Sequence, residues 1–197
     1  MIKLIFIGAG GHANSCLEVV DSTKKYKVVG SVSNNNNKFF KNLGNDKDLK
    51  KIRKKYKYAH IAIGFIKNYQ SRKKIFYNLK KLKYRLSTIV ASSSIVSKYA
   101  NIDEGTIVMH GAIVNAFAKI GKNSIINSRA IIEHDVQIGS NCHISTSVII
   151  NGNTKVGDNT FIGSGTIVFN KVTIGKNCVI GSGLIIKKNI RDNEIKK

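Results

Sequence analysis

Two adjacent side chains, those of His134 and Asp135, form a pair suited to moving a proton in this 197-residue chain. A carboxylate that holds one ring nitrogen of a histidine fixes the tautomer and raises the basicity of the other nitrogen. Such a histidine serves as a general base that activates a hydroxyl or amino group. Glu133 precedes the histidine, and we take Asp135 as the better partner. The alternative interpretation is a surface histidine without a chemical role.

A second group of residues has the pattern of a phosphate-binding turn. The apolar residues 3–7 predict a buried strand, which runs directly into Gly8-Ala9-Gly10-Gly11-His12 before a helix begins. Glycine lets backbone N–H groups and a helix N-terminus approach an anion. Many turns of this type are purely structural, so the motif by itself is a weak signal.

The first 89 residues predict the alternation β-α-β-α-β-α of a small Rossmann-like half-domain. Ser33 and Asn34 stand at the end of the second strand, where a dinucleotide-binding fold has an acidic residue. The sequence therefore favours a small phosphate-bearing substrate and predicts no hydride transfer. The predicted strands cover residues 3–7, 26–32 and 59–64, and the later helices cover residues 46–55 and 71–83.

Residues 90–197 follow a strict period of six. Every sixth residue from Val96 to Ile186 is valine or isoleucine, and a small or aliphatic residue stands four places after most of them. No amphipathic helix or alternating strand has this period. The pattern predicts short parallel strands joined by corners that tolerate left-handed backbone. Three strands close one coil of about 18 residues, and coils about 4.8 Å apart stack into a parallel β-helix with the shape of a triangular prism.

The coil length predicts which residues stack on one another. Gly152 follows His134 by one coil, so it should lie beside the histidine, leave room for a ligand and offer its N–H to an oxyanion. Asn127 falls in a neighbouring corner, where it either touches the substrate or is structural. His143 directly precedes the inward Ile144 and should point out from the prism.

The charge of the chain is strongly positive, with 33 Lys and Arg against 11 Asp and Glu and a formal net charge of +22. Such a charge is typical of nucleic-acid-binding proteins. The basic residues concentrate in the first half at helix-like spacings, so we interpret them as a solvated lysine-rich surface. Alternatively, lysines around a cleft attract a phosphorylated ligand. We expect no nucleic-acid partner.

Cysteine and histidine spacing indicates neither a disulfide framework nor a metal site. Cys16, Cys142 and Cys178 fall on apolar sides and indicate core residues of a reducing compartment. The separation of His134 from His143 fits no recognisable metal-ligand arrangement, so no metal is expected. No apolar run approaches about 18 residues, and the N-terminus runs straight into a strand. We expect a cytoplasmic protein with no membrane partner.

Three motifs of the chain form a particular combination. They are the glycine turn with His12, Ala62-Ile63-Gly64 with Arg72 downstream, and Ile132-Glu133-His134-Asp135 within the prism. It resembles the bacterial sugar O- and N-acetyltransferases that modify sialic acid or nucleotide-linked 4-amino sugars for surface glycans. The resemblance implies a left-handed β-helix and a homotrimer. It also implies that the N-terminal half-domain holds the nucleotide sugar and that acetyl-CoA lies along the prism between subunits.

Carried over by motif, the resemblance implies a role for most candidate residues. His134 is the general base, Asp135 orients it, and His143 lies beside the thioester of acetyl-CoA. Gly152, placed by its spacing, joins the catalytic group as the oxyanion donor and contacts the coenzyme. The substrate-binding residues are Gly10, Gly11, His12, Ile63 and Gly64, with Asn127 added from its position in the repeat.

The resulting hypothesis is an acetyl-CoA-dependent N-acetyltransferase that acts on a nucleotide-activated amino sugar. O-acetylation of a sialic-acid-like sugar is the nearest alternative, because the same base serves an amine or a hydroxyl. A non-catalytic prism that scaffolds an assembly or binds a nucleotide sugar is the alternative from another class. Outward aliphatic residues favour the trimer, and they are Ile107, Ile113, Ile125, Ile131 and Ile149.

Overall fold

The computed structural model describes residues 1–35 and 37–197 as a small α/β unit followed by a prism of parallel strands. The four strands of the α/β unit are parallel, and their order in the sheet is Tyr26–Val32, Ile2–Ile7, Tyr58–Ile61 and Arg85–Leu86. The predicted Rossmann-like alternation is confirmed, with a short fourth strand added. In chain order the elements are β1 (Ile2–Ile7), α1 (Gly11–Thr23), β2 (Tyr26–Val32), a 3₁₀ turn (Asp46–Asp48), α2 (Leu49–Lys55), β3 (Tyr58–Ile61), α3 (Gln70–Lys81) and β4 (Arg85–Leu86).

Strand β1 is apolar from Leu4 to Ile7 because both of its faces are covered there. Leu4 and Phe6 pack in one core cluster with residues of α1, and Ile5 and Ile7 pack in another with residues of α2 and α3. Buried parallel strands have this composition. Of the helices described in residues 1–35 and 37–197, none is long and apolar enough to cross a bilayer.

The prism has three faces, each a parallel sheet in which every strand pairs with the strand one coil away. The covered face, which packs against the α/β unit, consists of Ile89–Val90, Ile107–Val108, Ile125–Ile126, His143–Ile144, Phe161–Ile162, Val179–Ile180 and Ile195–Lys196. The isoleucine face consists of Ile95–Val96, Ile113–Val114, Ile131–Ile132, Ile149–Ile150, Ile167–Val168 and Ile185–Ile186. The polar face consists of Asn101–Ile102, Lys119–Ile120, Gln137–Ile138, Lys155–Val156 and Thr173–Ile174.

The predicted inward register is confirmed, because the valines and isoleucines of the six-residue period form one continuous core along the prism. The predicted left-handed corners are also present. Five corner asparagines stack in one column and have a backbone φ between 56° and 63°; they are Asn123, Asn141, Asn159, Asn177 and Asn193. The side-chain amide of each donates to the amide oxygen of the next, at 2.9, 3.3, 2.9 and 2.9 Å. We call this column the asparagine ladder.

The predicted outward aliphatic residues divide between two faces. The prediction of exposure is wrong for Ile107 and Ile125, which are fully buried because the α/β unit packs over the covered face. Ile113, Ile131 and Ile149 lie on the isoleucine face and are half-buried. With exposed isoleucines at both ends of the same column, this face presents an apolar stripe along the prism.

Candidate functional site

His134 stands at the corner between the isoleucine face and the polar face, with 58% of its side chain exposed. The backbone of Asp135 is left-handed, and its Oδ2 lies 2.9 Å from Nδ1 of His134. A carboxylate only accepts hydrogen bonds, so Nδ1 carries the proton and Nε2 keeps its lone pair. The predicted contact between histidine and carboxylate is present, and Nε2 is free to accept a proton.

The other neighbouring acid, Glu133, is engaged elsewhere. Its Oε2 accepts a hydrogen bond of 2.9 Å from Nδ2 of Asn115, which lies one coil earlier in the same column. Asp135 is therefore the carboxylate that orients the imidazole, as the sequence indicated.

Gly152 lies against His134, as the coil length predicted. A Cβ atom on Gly152 would lie 2.7 Å from both Cε1 and Nε2 of His134. The space that the glycine leaves is therefore filled by the imidazole ring itself rather than by a ligand. Beyond the ring an open pocket of about 540 Å³ continues along the corner, lined by Asn151, Asn153, Phe169, Asn170 and Lys171.

Two glycines at the start of α1 are not required by the backbone. A Cβ atom on Gly10 or on Gly11 would meet no atom within 4 Å, whereas one on Gly8 would lie 2.5 Å from Cγ1 of Ile63. Gly8 also has a φ of +102°. Gly8 thus serves the turn, and open space lies in front of Gly10 and Gly11 at the N-terminal end of a helix, where an anion is stabilised.

The other residues predicted to bind the substrate in the α/β unit, His12, Ile63 and Gly64, lie beside the glycine turn. A Cβ atom on Gly64 would stand 3.5 Å from Cγ of His12, so the loop after β3 touches the start of α1. Within the part of the chain that the structure describes, Nε2 of His12 is buried and has no hydrogen-bond partner. The fold brings together Gly10, Gly11, His12, Ile63 and Gly64, as predicted.

His143 continues this group onto the prism. Its Nδ1 donates to the carbonyl oxygen of Phe65 at 2.7 Å, and its Nε2 accepts from Nδ2 of Asn127 at 3.3 Å. Its ring centroid lies 6.5 Å from that of His12. The predicted outward orientation is correct, but the α/β unit covers the ring and leaves the residue 8% exposed.

The candidate residues therefore form two groups in one chain. The group from Gly10 to Gly64 meets His143 and Asn127 at the edge where the covered face joins the isoleucine face. His134, Asp135 and Gly152 lie at the opposite edge of the isoleucine face. The six-residue period placed Asn127 and His134 in different corners, but it did not indicate that the glycine turn would join Asn127 and not His134.

Arg72 lies at the junction between the α/β unit and the prism, and the sequence motif that contains it indicated no role for it. It is fully buried and donates to the carbonyl oxygens of Ile61, Ile63 and Asn123. Its spacing to Phe76 and Leu79, which are also buried, is helical. That period was the signal in the sequence that places Arg72 on the buried side of α3.

Three histidines around this junction are held neutral. Burial, with the nearby Arg72 charge as a smaller cause, lowers the pKa of His12 and of His60 to about 3. Burial lowers the pKa of His143 to about 4, against the hydrogen bond to the Phe65 carbonyl, which raises it. Desolvation disfavours the charged imidazolium in each case.

Two protein-family models match separate parts of the chain. The PglD N-terminal domain matches residues 3–79. The bacterial transferase hexapeptide (six repeats) matches residues 117–152 and 153–188. A comparison with curated protein sequences found no match.

Solved structures resemble the whole chain. PerB from Caulobacter crescentus, in complex with CoA and GDP-perosamine, has a TM-score of 0.93 at 27% identity, covering 98% of this chain and 92% of that one. The acetyltransferase domain of PglB from Neisseria gonorrhoeae, in complex with acetyl coenzyme A, has a TM-score of 0.92 at 26% identity, with coverages of 98% and 94%. WeeI from Acinetobacter baumannii shares the fold, with a TM-score of 0.76 at 18% identity over 99% and 96% of the two chains.

The buried neutral histidines predict a loss of stability in mild acid. Unfolding returns each pKa from its lowered value to the ordinary 6.5, so the unfolded chain binds more protons once the pH falls below that value. The free energy of unfolding should be constant above about pH 7 and fall below it by up to about 1.4 kcal/mol per pH unit for each histidine. Urea denaturation from about pH 7.5 down to 5 measures the slope. His60→Asn should make it shallower, and an unchanged slope in that variant would contradict the assignment.

Proposed function

We propose that this chain transfers an acetyl group from acetyl-CoA to the amino group of a nucleotide-linked sugar. The chain belongs to the sugar acetyltransferases that join a PglD N-terminal domain to bacterial transferase hexapeptide repeats. The observation that carries the proposal is the His134–Asp135 pair, in which Nε2 of His134 can accept a proton. The pair lies on a fold that resembles PerB, whose structure contains CoA and GDP-perosamine. Acetyl-CoA is a cosubstrate here, and the proposed reaction needs no metal ion.

His134 supplies the proton transfer that this reaction needs. As the amine nitrogen attacks the thioester carbonyl carbon, Nε2 takes a proton from that nitrogen. The tetrahedral intermediate then collapses, the C–S bond breaks, and the proton passes to the departing sulfur to give the amide and free CoA. Asp135 holds the Nδ1 proton and stabilises the imidazolium that forms in between. We assign the N–H of Gly152 to the oxyanion.

The pocket beside α1 suits the nucleotide diphosphate of the acceptor. Open space in front of Gly10 and Gly11 adjoins the N-terminus of a 13-residue helix, and Ile63 and Gly64 form its other wall. Asn127 and His143 lie where the pocket meets the prism. We propose residues 1–89 as the unit that binds the nucleotide sugar and residues 90–197 as the unit that binds acetyl-CoA.

A homotrimer completes the site, because the two groups of residues flank the isoleucine face on its two sides. If three copies turn this face toward a common threefold axis, the Asn127 edge of one copy meets the His134 edge of the next. The isoleucine stripe supplies the apolar surface that such a contact buries. In this arrangement the sugar held by one subunit reaches the base of its neighbour.

The three cysteines are free and buried, which suits a reducing compartment. We propose that the enzyme works in the cytoplasm and supplies acetylated sugar for a surface glycan.

Replacing the base tests the chemistry directly. His134→Ala should lower turnover by about 10²–10⁴-fold, the usual contribution of a positioned general base, and leave trimer mass and ligand affinities unchanged, because its side chain is exposed. Asp135→Asn should lower turnover less. Lys122→Ala is the control, since the exposed Lys122 holds the same place in its repeat as His134 but lies at the corner between the polar face and the covered face. Release of free thiol is measured with nucleotide-linked amino sugars and with hydroxyl acceptors. Near wild-type turnover by His134→Ala would contradict the mechanism.

A branched side chain at Gly11 tests the sugar pocket. Gly11→Val should fold normally, because its Cβ meets no atom within 4 Å, yet it should weaken nucleotide-sugar binding by at least about tenfold through the lost approach of the backbone to the ligand. Acetyl-CoA affinity should not change. Ser15→Val, on an exposed position of the same helix, is the control. Calorimetric titration separates the two affinities, and a parallel loss of both would refute the two-site assignment.

A charge in the isoleucine stripe tests the assembly. Ile131→Glu should give a monomer without acetyltransferase activity, since it places a carboxylate in the proposed apolar contact. Gln137→Glu makes the same change in charge at an exposed position of the polar face and should remain a trimer. Sedimentation equilibrium gives the mass of each variant. An active trimer of Ile131→Glu would rule out this face as the contact.

A further inference from the structure

Arg72 is a buried cation that contacts no carboxylate among the residues that the structure describes. The residue is fully buried, and within residues 1–35 and 37–197 it takes part in no ion pair. A buried charge is costly unless it is paired or surrounded by hydrogen-bond partners. A methionine or leucine would fill the same apolar position on α3 without that cost, so the guanidinium calls for an explanation.

The contacts of Arg72 join the loop after β3 to the prism. Its Nη1 donates to the carbonyl oxygens of Ile61 and Ile63, the second at 2.8 Å, and its Nε donates to the carbonyl oxygen of Asn123 at 3.2 Å. Ile63 and the following Gly64 are the wall of the sugar pocket that faces His12. Asn123 is a corner residue of the prism. One side chain thus holds the pocket wall at a fixed position relative to the β-helix.

The asparagine ladder turns the negative end of its dipoles toward Arg72 but supplies no charge of its own. Every amide in the column donates toward the C-terminal end, so the oxygen end of the aligned dipoles points toward Asn123 and Arg72. Oδ1 of Asn123 is buried without a partner in the described chain, and so is Nη2 of Arg72. The negative end of the ladder therefore stands beside the guanidinium, much as helix dipoles stabilise cations at helix C-termini.

Dipoles stabilise a buried charge but leave the net charge of the site unchanged. A carboxylate partner would have made the junction neutral, whereas carbonyl and amide oxygens leave a net positive charge behind Gly64 and His12. The neighbouring histidines cannot add to or remove this charge near neutral pH, because the pKa values of His12 and His60 lie at about 3 and that of His143 at about 4. Beside the pocket wall Arg72 is therefore the buried charge, whereas Lys67 on the same loop is exposed and its charge is screened by solvent.

We propose that Arg72 is a positioning residue for the acceptor: it fixes the Ile61–Gly64 wall against the prism and directs an uncompensated positive charge toward an anionic ligand, a nucleoside diphosphate. This assignment rests on the proposed function, in which the α/β unit holds the nucleotide part of the sugar. The charge acts through the pocket wall and does not touch the reacting atoms.

Hydrogen exchange tests the positioning role without any ligand. In Arg72→Met and Arg72→Lys, amide exchange in residues 61–66 should rise at least about tenfold, because the carbonyl contacts that fix the loop are lost or reduced. Arg85→Met is the control. It removes an equal charge from the same unit, at the exposed Arg85 that donates to Tyr58 at the far end of β3. Exchange in residues 61–66 that matches the control in both Arg72 variants would overturn the proposal.

Binding tests the electrostatic role. Two sets of ligands are compared, the nucleotides GDP, UDP and CMP and the nucleosides guanosine, uridine and cytidine. In Arg72→Met the affinity for the nucleotides should fall by at least about tenfold, and the affinity for the nucleosides should fall by less. Arg72→Lys keeps the charge and should retain most of the preference for nucleotides. Acetyl-CoA affinity should stay at the wild-type value in both.

The outcomes separate this proposal from the proposed function. If the wild type binds nucleotides through Arg72 but acetylates no amino sugar, the function is wrong and the positioning role stands. If Arg72→Met fails to fold, Arg72→Lys decides. Wild-type exchange in residues 61–66 of Arg72→Lys would mean that Arg72 does not fix the pocket wall, and would overturn the proposal.

Discussion

The stacking of one coil on the next is the constraint on which the rest of the structure depends. Backbone hydrogen bonds link the strands of the prism up to Ile185–Ile186 to the strand 18 residues away, and the inward valines and isoleucines keep the same register along the prism. The last coil is two residues shorter, and Ile195 pairs with Val179. Because the period does not slip, each corner position repeats as a column. The pairing of Asn115 with Glu133, the contact of Gly152 with His134 and the asparagine ladder are all consequences of that repetition.

The α/β unit adds what the repeat cannot. It packs over one face of the prism, buries Ile107 and Ile125, and brings the Phe65 carbonyl to His143. Its glycine turn and the loop after β3 then form a pocket at the edge of that face. A regular β-helix thereby gains one irregular pocket, while His134 and Asp135, the proposed proton-transfer pair, lie on the regular corner opposite.

Sequence patterns predicted those parts of the molecule that depend on local spacing. The six-residue period gave the prism, its inward core and the neighbour of His134, because a strict repeat leaves one way to stack. The ends of elements were less well defined: the strand expected at residues 59–64 ends at Ile61, and the helix expected at residues 71–83 is Gln70–Lys81. Ile107 looks like Ile113 in the sequence, and only the packing of the α/β unit distinguishes a covered outward isoleucine from an uncovered one. The burial of Arg72 against Asn123 likewise depends on contacts between residues far apart in the chain.

The placement of the pocket and the base on opposite sides of the isoleucine face has a genetic consequence in the proposed trimer. Each of the three sites borrows its base from one chain and its pocket from another. A chain with a defective base and a chain with a defective pocket would therefore rebuild an intact site when they assemble together, so two null alleles could complement each other. A chain that carries both lesions would instead silence two sites of the three and act as a dominant inhibitor of its wild-type partners.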